Sequence, residues 1–343
     1  MSSWQAFLVS RGAIPTAAGT PDLGNAAAEV VAARDGTIVA DLSHNALLHV
    51  TGDDATKFLH GQFTNDVAAL VEGAAQWNGW CSAKGRLLAT FLLWKRADGY
   101  FLLLPADIAA GVAKKLSMYV LRSKVKIEDV SRWYVPIGFA GKSAGVIAAR
   151  EFGHTPDPLR SVQKEGAAII ALDAERFVIL APSEGAPALW NRLEAHATPT
   201  GSDAWEWKAI HAGIPTVVAA TQEAFVPQMA NFELVGGVSF KKGCYPGQEI
   251  VARTQYRGGL KRRMALAHVA SDKRPAPGQS LYSGAFGDQA AGTVVNAAPA
   301  PEGGWDLLAV AQLESLRTAD LHLESPTGPA LEIRAYPATE TAS

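Results

Sequence analysis

The stretch Phe240–Arg253 reads FKKGCYPGQEIVAR, and its cysteine lies among glycines, a proline and paired lysines. Gly243 and Gly247 allow left-handed backbone, or the close approach of another segment, on either side of Cys244. The proline between them has a fixed φ, which suits the start of a helix over Gln248–Ala252. Cys244 would then lie just before a helix N-terminus, where the dipole and unpaired N–H groups favour a thiolate. The stretch therefore predicts a loop that carries a reactive thiol.

The residues around this thiol are predominantly cationic. Between residues 241 and 263 seven basic side chains accompany a single acid, Glu249. The basic residues are Lys241, Lys242, Arg253, Arg257, Lys261, Arg262 and Arg263. Because the whole chain has a net charge of only −2, this is a local cationic patch. It would suit an anionic ligand, such as the glutamate tail of a folate or an RNA phosphate.

Three aromatic residues, Phe240, Tyr245 and Tyr256, lie beside these charges and could stack on a flat heterocycle. Each feature alone also has a structural explanation. A lone cysteine is most often a small buried hydrophobe, a basic cluster a solvated face, and a Gly/Pro run a turn. The coincidence of all three in one loop favours a functional site.

The amino-acid composition limits the class of protein, the kinds of metal site and the cellular location that we expect. The 343 residues are 48% hydrophobic and 19% charged, which predicts a globular protein of two or three domains. Cys81 and Cys244 cannot form a disulfide framework or fill a four-thiolate metal site, so we expect no resident metal. His44, His49 and His60 lack a tight ligand spacing and favour isolated roles. No secretory signal or membrane span is evident, which predicts a cytoplasmic location.

The order of predicted elements gives the fold class. From residue 47 to 130, strands and helices follow a split βαβ order, as in ferredoxin-like proteins. This order includes a helix over Ala55–Phe63, a strand over Leu87–Lys95 and a hairpin turn at Asp98-Gly99. A similar order follows, and a long segment with few periodic features, Pro215–Gly243, is typical of a functional loop. Short strands between residues 264 and 335 predict a small β-barrel. We divide the chain into 38–130, 131–240 and 241–335, the last containing the cysteine loop and the barrel.

The stretch Phe240–Arg253 resembles the hallmark K-G-C-[FY]-x-G-Q-E-x-x-x-R of the YgfZ/GcvT-like family of folate-binding proteins. Weaker similarity at Leu48–Val67, Ala212–Pro215 and Phe225–Gln228 extends the resemblance over roughly residues 38–335. It implies an α+β fold shared with the glycine-cleavage aminomethyltransferase, or T-protein. In that fold two ferredoxin-like α+β units and a C-terminal β-barrel surround a central folate-binding hole.

The resemblance also implies a function. The cofactor would be tetrahydrofolate or a related folate, and the role would be iron–sulfur cluster assembly or repair. Client or assembly proteins of iron–sulfur enzymes would be the partners, with an indirect link to tRNA thiolation. Cys244 would be the working thiol and a possible transient metal ligand. The predicted folate-binding residues are Lys241, Lys242, Tyr245, Gly247, Gln248, Glu249, Arg253, Arg257, Trp205, Trp207 and His211.

The chain also departs from the T-protein pattern. The strand Leu87–Phe91 contains no carboxylate at the position of the T-protein catalytic aspartate, and His211 replaces the glutamate that holds the pterin. An aminomethyltransferase-type one-carbon transferase is therefore an alternative that lacks its acid or base, and whether any reaction is catalysed stays open. An RNA-binding or partner-binding module is a further alternative. Trp205 and Trp207 could line a pterin pocket or pack in a core.

Overall fold

The structure is a computed structural model that describes residues 2–14, 16, 19–257 and 259–337, with only the backbone of Arg257. Nine α-helices form within these residues. They are α1 (Ser3–Val9), α2 (Ala26–Asp35), α3 (Ala55–Gln62), α4 (Ala106–Val120), α5 (Ala144–Phe152), α6 (Ala186–Glu194), α7 (Ser202–His211), α8 (Gln248–Arg257) and α9 (Leu313–Thr318). None of the described helices is long and apolar enough to cross a bilayer.

The same described ranges contain seventeen strands. They are β1 (Thr37–Asp41), β2 (Asn45–Thr51), β3 (Ala75–Cys81), β4 (Leu87–Arg96), β5 (Gly99–Pro105), β6 (Lys126–Asp129), β7 (Tyr134–Gly141), β8 (Ser161–Lys164), β9 (Ala167–Ala171), β10 (Arg176–Pro182), β11 (Thr198–Thr200), β12 (Arg262–Val269), β13 (Ser280–Tyr282), β14 (Gly292–Pro299), β15 (Trp305–Gln312), β16 (His322–Leu323) and β17 (Leu331–Ala335). They build three sheets.

The chain divides into two compact units. The first comprises Met1–Phe58, Ala69–Gln76 and Leu92–Lys208, and the second comprises Leu59–Ala68, Trp77–Phe91 and Ala209–Ser343. The division into three segments that we made from the sequence stays a prediction.

A six-stranded sheet in the first unit has the order β11-β1-β7-β10-β9-β8. All its pairs are antiparallel except β1 with β11, which is parallel. Strand β7 lies between β1 and β10, so the central order matches a ferredoxin-like sheet whose last strand comes from the N-terminal segment. Helices α1, α5 and α6 cover one face, where Phe139, Phe177 and Trp190 are buried. This burial of large apolar side chains stabilises the unit.

A five-stranded sheet has the order β3-β4-β5-β2-β6. Asp98 and Gly99 form the predicted hairpin turn between β4 and β5, and Gly99 has a φ of +136°. A side chain at Gly99 would meet the carbonyl oxygen of Val50 at 2.5 Å. Glycine is therefore required in this turn by both its dihedral angle and the close neighbouring strand.

The second unit carries the C-terminal sheet, in the order β16-β13-β14-β15-β12-β17. Its pairs are antiparallel, and the register shifts once between β14 and β15 and once between β12 and β17. Such irregularities bend strands, and this sheet curls into a half-barrel. A backbone bridge between His322 and Ala330 links the ends of the two edge strands. The predicted C-terminal strands and their barrel-like arrangement are thus present.

Most predicted elements are confirmed within one or two residues. The helix predicted at Ala55–Phe63 is α3, and the strand predicted at Leu87–Lys95 is β4. Helices α1 and α2 were not predicted, because the first 37 residues show weak periodicity, and strand β1, which begins at Thr37, was not predicted either. Strand β1 forms because it pairs with β7, and its own sequence pattern does not indicate a strand.

The predicted loop Pro215–Gly243 has little regular structure, apart from one 3₁₀ turn at Ala219–Thr221. Its backbone is held by β4. The amide N–H of Glu223 donates to the carbonyl of Leu87 over 2.8 Å, and that of Leu87 donates to the carbonyl of Phe225 over 2.8 Å. Gln222 adds a side-chain bond to the carbonyl of Leu88 over 2.7 Å. Strand β5 pairs with Leu92–Arg96 of β4, and these bonds hold the loop against the residues of β4 that precede that pairing.

Substituting Gly138 in β7 should test the packing of the first unit. A Cβ at this position would lie 2.5 Å from Cε3 of Trp205, so Gly138→Ala should lower the free energy of unfolding by about 1–3 kcal/mol. The matched control is Gly111→Ala in α4, where a Cβ would meet no atom within 4 Å. This control should stabilise the helix by roughly 0.5–1 kcal/mol. Urea denaturation of both variants measures the difference, and equal midpoints would contradict the packing.

Candidate functional site

The cysteine loop rests on the turn between β3 and β4. Gly247, directly before α8, has a φ of +79°, and Gly85 in the turn has a φ of +68°. A Cβ on Gly247 would lie 2.6 Å from the Cα of Gly85 and would overlap the carbonyl oxygen of Ser82. The two backbones therefore touch directly, and this contact excludes every side chain at position 247. The contact fixes the point from which α8 begins.

Lys242 points into the protein. The residue is 7% exposed, and its ammonium donates to the carbonyl oxygens of Phe63, over 2.7 Å, and of His60. Burial lowers the pKa of Lys242 from its ordinary 10.5 to about 8, although the charges of Asp66 and Cys244 oppose this change. Lys242 was predicted among the folate-binding cations, and that role stays a prediction; the structure places its ammonium at the start of the loop, on these two carbonyls.

Tyr245 is the second anchor. Its side chain is buried, and the ammonium of Lys242 lies 4.8 Å from the centre of its ring. Burial raises the pKa of the Tyr245 phenol, and the charge of Cys81 acts in the same direction. Cys81 is itself buried, which raises the pKa of its thiol to about 12. Tyr245 therefore supports the loop from beneath, and Cys81 is kept as an unreactive thiol.

Cys244 lies between these two anchors and is exposed. Its neighbour Gly243 is exposed as well, and a Cβ on Gly243 would lie 3.7 Å from Nε2 of His60. The predicted helix is confirmed: α8 begins at Gln248, three residues beyond Tyr245, and extends to Arg257. Buried residues on both sides thus turn the Cys244 thiol outward, where a small molecule or another protein can reach it.

The cations around the loop fall into two groups. Arg263 joins Lys242 in an internal role, because it pairs with Glu233 and donates to the carbonyl of Gln228 over 2.9 Å. Lys241 and Arg253 are exposed, and no carboxylate among the described residues lies within ion-pair distance of either. The side chain of Arg257 lies outside the described residues. The cationic patch is therefore smaller than the sequence suggested.

The remaining loop residues lie near the surface. Gln248 is half-buried and Glu249 is exposed in the first turn of α8. Tyr256 is 74% exposed, and its ring meets that of Phe240 edge to face with 6.5 Å between the centroids. Of the three aromatic residues considered for stacking, Tyr256 offers an open ring and Tyr245 does not.

Trp205 and Trp207 belong to the first unit and are buried. Trp205 packs against Gly138, at a position where a side chain on the strand would collide with the indole. This contact is the core-packing role that we considered for Trp205 from the sequence. Placement of either indole in a folate site stays a prediction.

His211 ends α7 and lies in the second unit. Its Nε2 is 2.7 Å from Oδ2 of Asp306, a fully buried carboxylate in β15. The other oxygen of Asp306 is 2.9 Å from Nδ1 of His268 and 3.1 Å from Nη1 of Arg334. His211 is therefore joined to an internal charge network, although the sequence only marked it as a replacement for glutamate.

His211 also lines a cleft of about 400 Å³ in the second unit. The lining is mainly apolar and includes Leu234, Met264, Leu308 and Tyr336. Such a cleft, with few polar groups at its edge, has the size and character of a small-molecule site.

The strand Leu87–Phe91 provides no acid or base. Its one polar residue, Thr90, is buried, and its hydroxyl donates to the carbonyl of Pro215 over 3.0 Å. The same oxygen accepts from the amide of Val217 over 3.0 Å. Thr90 therefore fastens the following loop to β4.

His268, Glu302 and Asp306 bring possible metal-ligand atoms within 4.8 Å of one another. Arg334 pairs with both carboxylates of this group, so a guanidinium already balances their charge. The group is best described as an ion-pair network.

Asp306 was missed in the sequence analysis. It stands as a lone acid at the start of the apolar run 305–312, which becomes β15. A charged residue in a buried strand requires a partner, and this mismatch was the available signal. The partners themselves are 38 and 95 residues away in the chain, and no local pattern indicates them.

The buried ammonium of Lys242 should make stability depend on pH. Between pH of about 8 and 10.5 the unfolded lysine holds a proton that the folded one releases, so the free energy of unfolding should rise with pH there. In Lys242→Met this rise should be smaller. Denaturant titrations across this window measure the slope, with the exposed neighbour Lys241→Met as control. An unchanged slope in Lys242→Met would contradict the burial of this charge.

Comparison with known proteins places the chain in a family. A model described as the GCVT N-terminal domain matches residues 20–155. The tRNA-modifying protein YgfZ of Shigella sonnei (strain Ss046) is 34% identical over 239 residues, or 69% of this chain and 73% of that protein. The protein of the same name from Escherichia coli O7:K1 (strain IAI39 / ExPEC) is 35% identical over 240 residues with the same coverage.

A solved structure identifies the fold. The glycine cleavage system aminomethyltransferase T from Bartonella henselae matches with a TM-score of 0.71 over 97% of this chain and 96% of that chain, at 18% identity. The predicted α+β fold of the aminomethyltransferase type is confirmed. Because relatives more than 30% identical match over 73% of their own length, the chain belongs to the YgfZ family.

Proposed function

We propose that this chain is a cytoplasmic, folate-binding accessory protein for iron–sulfur cluster assembly or repair, with Cys244 as its working thiol. The observation that carries the proposal is the cysteine loop. Its thiol is exposed between the buried anchors Lys242 and Tyr245, and Gly247 holds the loop against a neighbouring turn. The curated relatives are named tRNA-modifying proteins, and we propose that their link to tRNA is indirect, through iron–sulfur enzymes that thiolate it.

The second unit contains groups that fit a folate. Exposed Lys241 and Arg253 suit the carboxylates of its glutamate tail, since charge-assisted hydrogen bonds are strong. The open ring of Tyr256 suits stacking on a flat heterocycle, and His211 borders a largely apolar cleft. Lys242, Tyr245 and Gly247 then act by shaping the loop. Gln248 and Glu249 begin α8 and stay proposed contacts.

The cysteine count limits what Cys244 can do with a cluster. A four-iron cluster is commonly held by four thiolates. Cys81 is buried with a pKa near 12, so this chain offers one usable thiol. We propose that Cys244 is a transient ligand for a cluster or metal that belongs to a client protein, which supplies the other ligands. In this proposal the cluster is the protein's cargo.

A one-carbon transferase is the weaker candidate. It needs an acid or base beside the folate nitrogens, and the strand Leu87–Phe91 has only Thr90. The hydroxyl of Thr90 is engaged by the backbone of Pro215 and Val217. Turnover of a methylamine-type donor with tetrahydrofolate would favour this candidate instead.

Folate binding should depend on the two exposed cations of the loop. In calorimetric titrations with tetrahydrofolate, Lys241→Ala/Arg253→Ala should weaken binding by about tenfold or more, because two charge-assisted contacts are lost. The matched control, Lys114→Ala/Arg122→Ala, removes two exposed charges from the first unit and should bind as wild type. No binding by wild type, or equal loss in both variants, would exclude the proposed site.

The role of the thiol is tested in cells that lack their own copy of the protein. Under oxidative stress, Cys244→Ala should fail to restore aconitase-type activity, because the only accessible thiol is gone. Cys81→Ala keeps that thiol and should restore activity. Immunoblots should show equal amounts of both variants. Full rescue by Cys244→Ala would rule out a working thiol.

A further inference from the structure

Helix α4 of the first unit ends in two exposed apolar side chains. The helix packs on strands β2, β5 and β6 through Ile108, Ala109, Val112 and Leu116. Met118 lies one turn after Lys114 on the opposite face and is 67% exposed. Leu121, the residue directly after the helix, is 88% exposed. Met118 and Leu121 together form an apolar tip on the surface of this unit.

Leu121 has a backbone conformation that favours glycine. Its φ of +47° and ψ of −105° occur at the end of α4, where many helices have a glycine. A leucine is disfavoured in this conformation, and its side chain gains no burial in return. Residues that break two local rules at once, without a gain in packing, are expected at functional sites. The Leu121 side chain therefore suits a contact with another molecule.

The apolar tip lies within a basic stretch of the chain. The twenty residues 108–127 contain no acid and five basic residues, all exposed, which are Lys114, Lys115, Arg122, Lys124 and Lys126. Lys124 and Lys126 form exposed ion pairs with acids outside this stretch, and such pairs are weak. No carboxylate in the described part of the chain lies within ion-pair distance of Lys114 or Arg122. The surface around the tip is therefore positively charged.

The chemistry of this surface indicates the kind of partner. The cations require negative charge, and the apolar tip requires an apolar environment. Phosphates of a nucleic acid supply the charge alone. A second copy of the chain would place its own cations against these. Four of the five cations are lysines, which are depleted in protein–protein interfaces but typical of surfaces that bind anionic lipids.

We propose that the apolar tip and its five cations form a peripheral binding surface for an anionic lipid bilayer. The side chains of Met118 and Leu121 enter the boundary between head groups and acyl chains, while the cations contact the charged head groups. This binding is reversible and requires no membrane-spanning helix. It goes beyond the proposed function, because the surface lies in the first unit, whereas Cys244 and the exposed cations of its loop lie in the second.

Sedimentation of the full chain with vesicles tests this surface. One set of unilamellar vesicles contains equal parts of phosphatidylglycerol and phosphatidylcholine, and the other contains phosphatidylcholine alone. We expect the anionic vesicles to bind about tenfold or more tightly than the neutral ones. Raising NaCl from about 0.05 to about 0.5 M should abolish most of this difference, because salt screens exposed charges. Equal binding to both vesicles, or none to the anionic ones, would overturn the proposal.

Three variants assign the binding to the named residues. Leu121→Gly relieves the backbone, so it should unfold at a temperature no lower than wild type, yet bind anionic vesicles about tenfold more weakly. Lys114→Gln/Arg122→Gln should weaken binding about tenfold or more, because two charges near the head groups are lost. The matched control is Val71→Ser, at an exposed apolar residue of the same unit that stands beside Glu72, and it should bind like wild type.

The same variants detect the other kinds of partner. Unfractionated tRNA is the probe for a nucleic-acid surface. Binding of tRNA without binding of anionic vesicles, weakened in Lys114→Gln/Arg122→Gln but not in Leu121→Gly, would assign the cations to RNA and overturn the proposal. Vesicle binding that Leu121→Gly leaves unchanged would exclude insertion of the apolar tip. Equal weakening by Val71→Ser and Leu121→Gly would show that the tip has no special role, which also contradicts the proposal.

Discussion

The contact between the backbones of Gly247 and Gly85 determines where the cysteine loop can lie. With a Cβ at position 247 only 2.6 Å from the Cα of Gly85, no residue other than glycine permits this approach. Both glycines also have a positive φ, a conformation that favours glycine at each position. Helix α8 starts at this contact, and so the position of everything from Cys244 to Arg253 depends on it.

The loop combines inward-facing anchors with an outward-facing thiol. Burying the ammonium of Lys242 is costly, and its lowered pKa expresses that cost. Two backbone carbonyls, of His60 and Phe63, compensate part of it by accepting hydrogen bonds. Tyr245 fills the space on the other side of Cys244. A protein retains a buried charge of this kind where it needs the loop geometry that the charge holds in place. The burial of Lys242 therefore agrees with a functional role for the loop.

His211, unlike the cysteine loop, is joined to an internal network of charged side chains. His211 at the end of α7 is bonded through Nε2 to Asp306, a fully buried aspartate of β15. His268 on the adjacent strand β12 and Arg334 on β17 also contact this carboxylate. The surroundings of His211 are therefore set partly by the C-terminal sheet, which lies with it in the second unit.

The amino-acid sequence by itself determined the main helices and strands, the curled C-terminal sheet and the family. Periodicity, turn residues such as Asp98-Gly99, and the motif around Cys244 are local signals, and local signals are readable without a fold. Only the tertiary structure decided which side chains are buried and bonded inside the protein and which are exposed. Lys241 and Lys242 are chemically identical neighbours, yet one is exposed and the other is buried against carbonyls from residues about 180 positions earlier. Strand β1 and the partners of Asp306 likewise depend on pairing between distant segments, because burial and hydrogen bonding are properties of the folded chain.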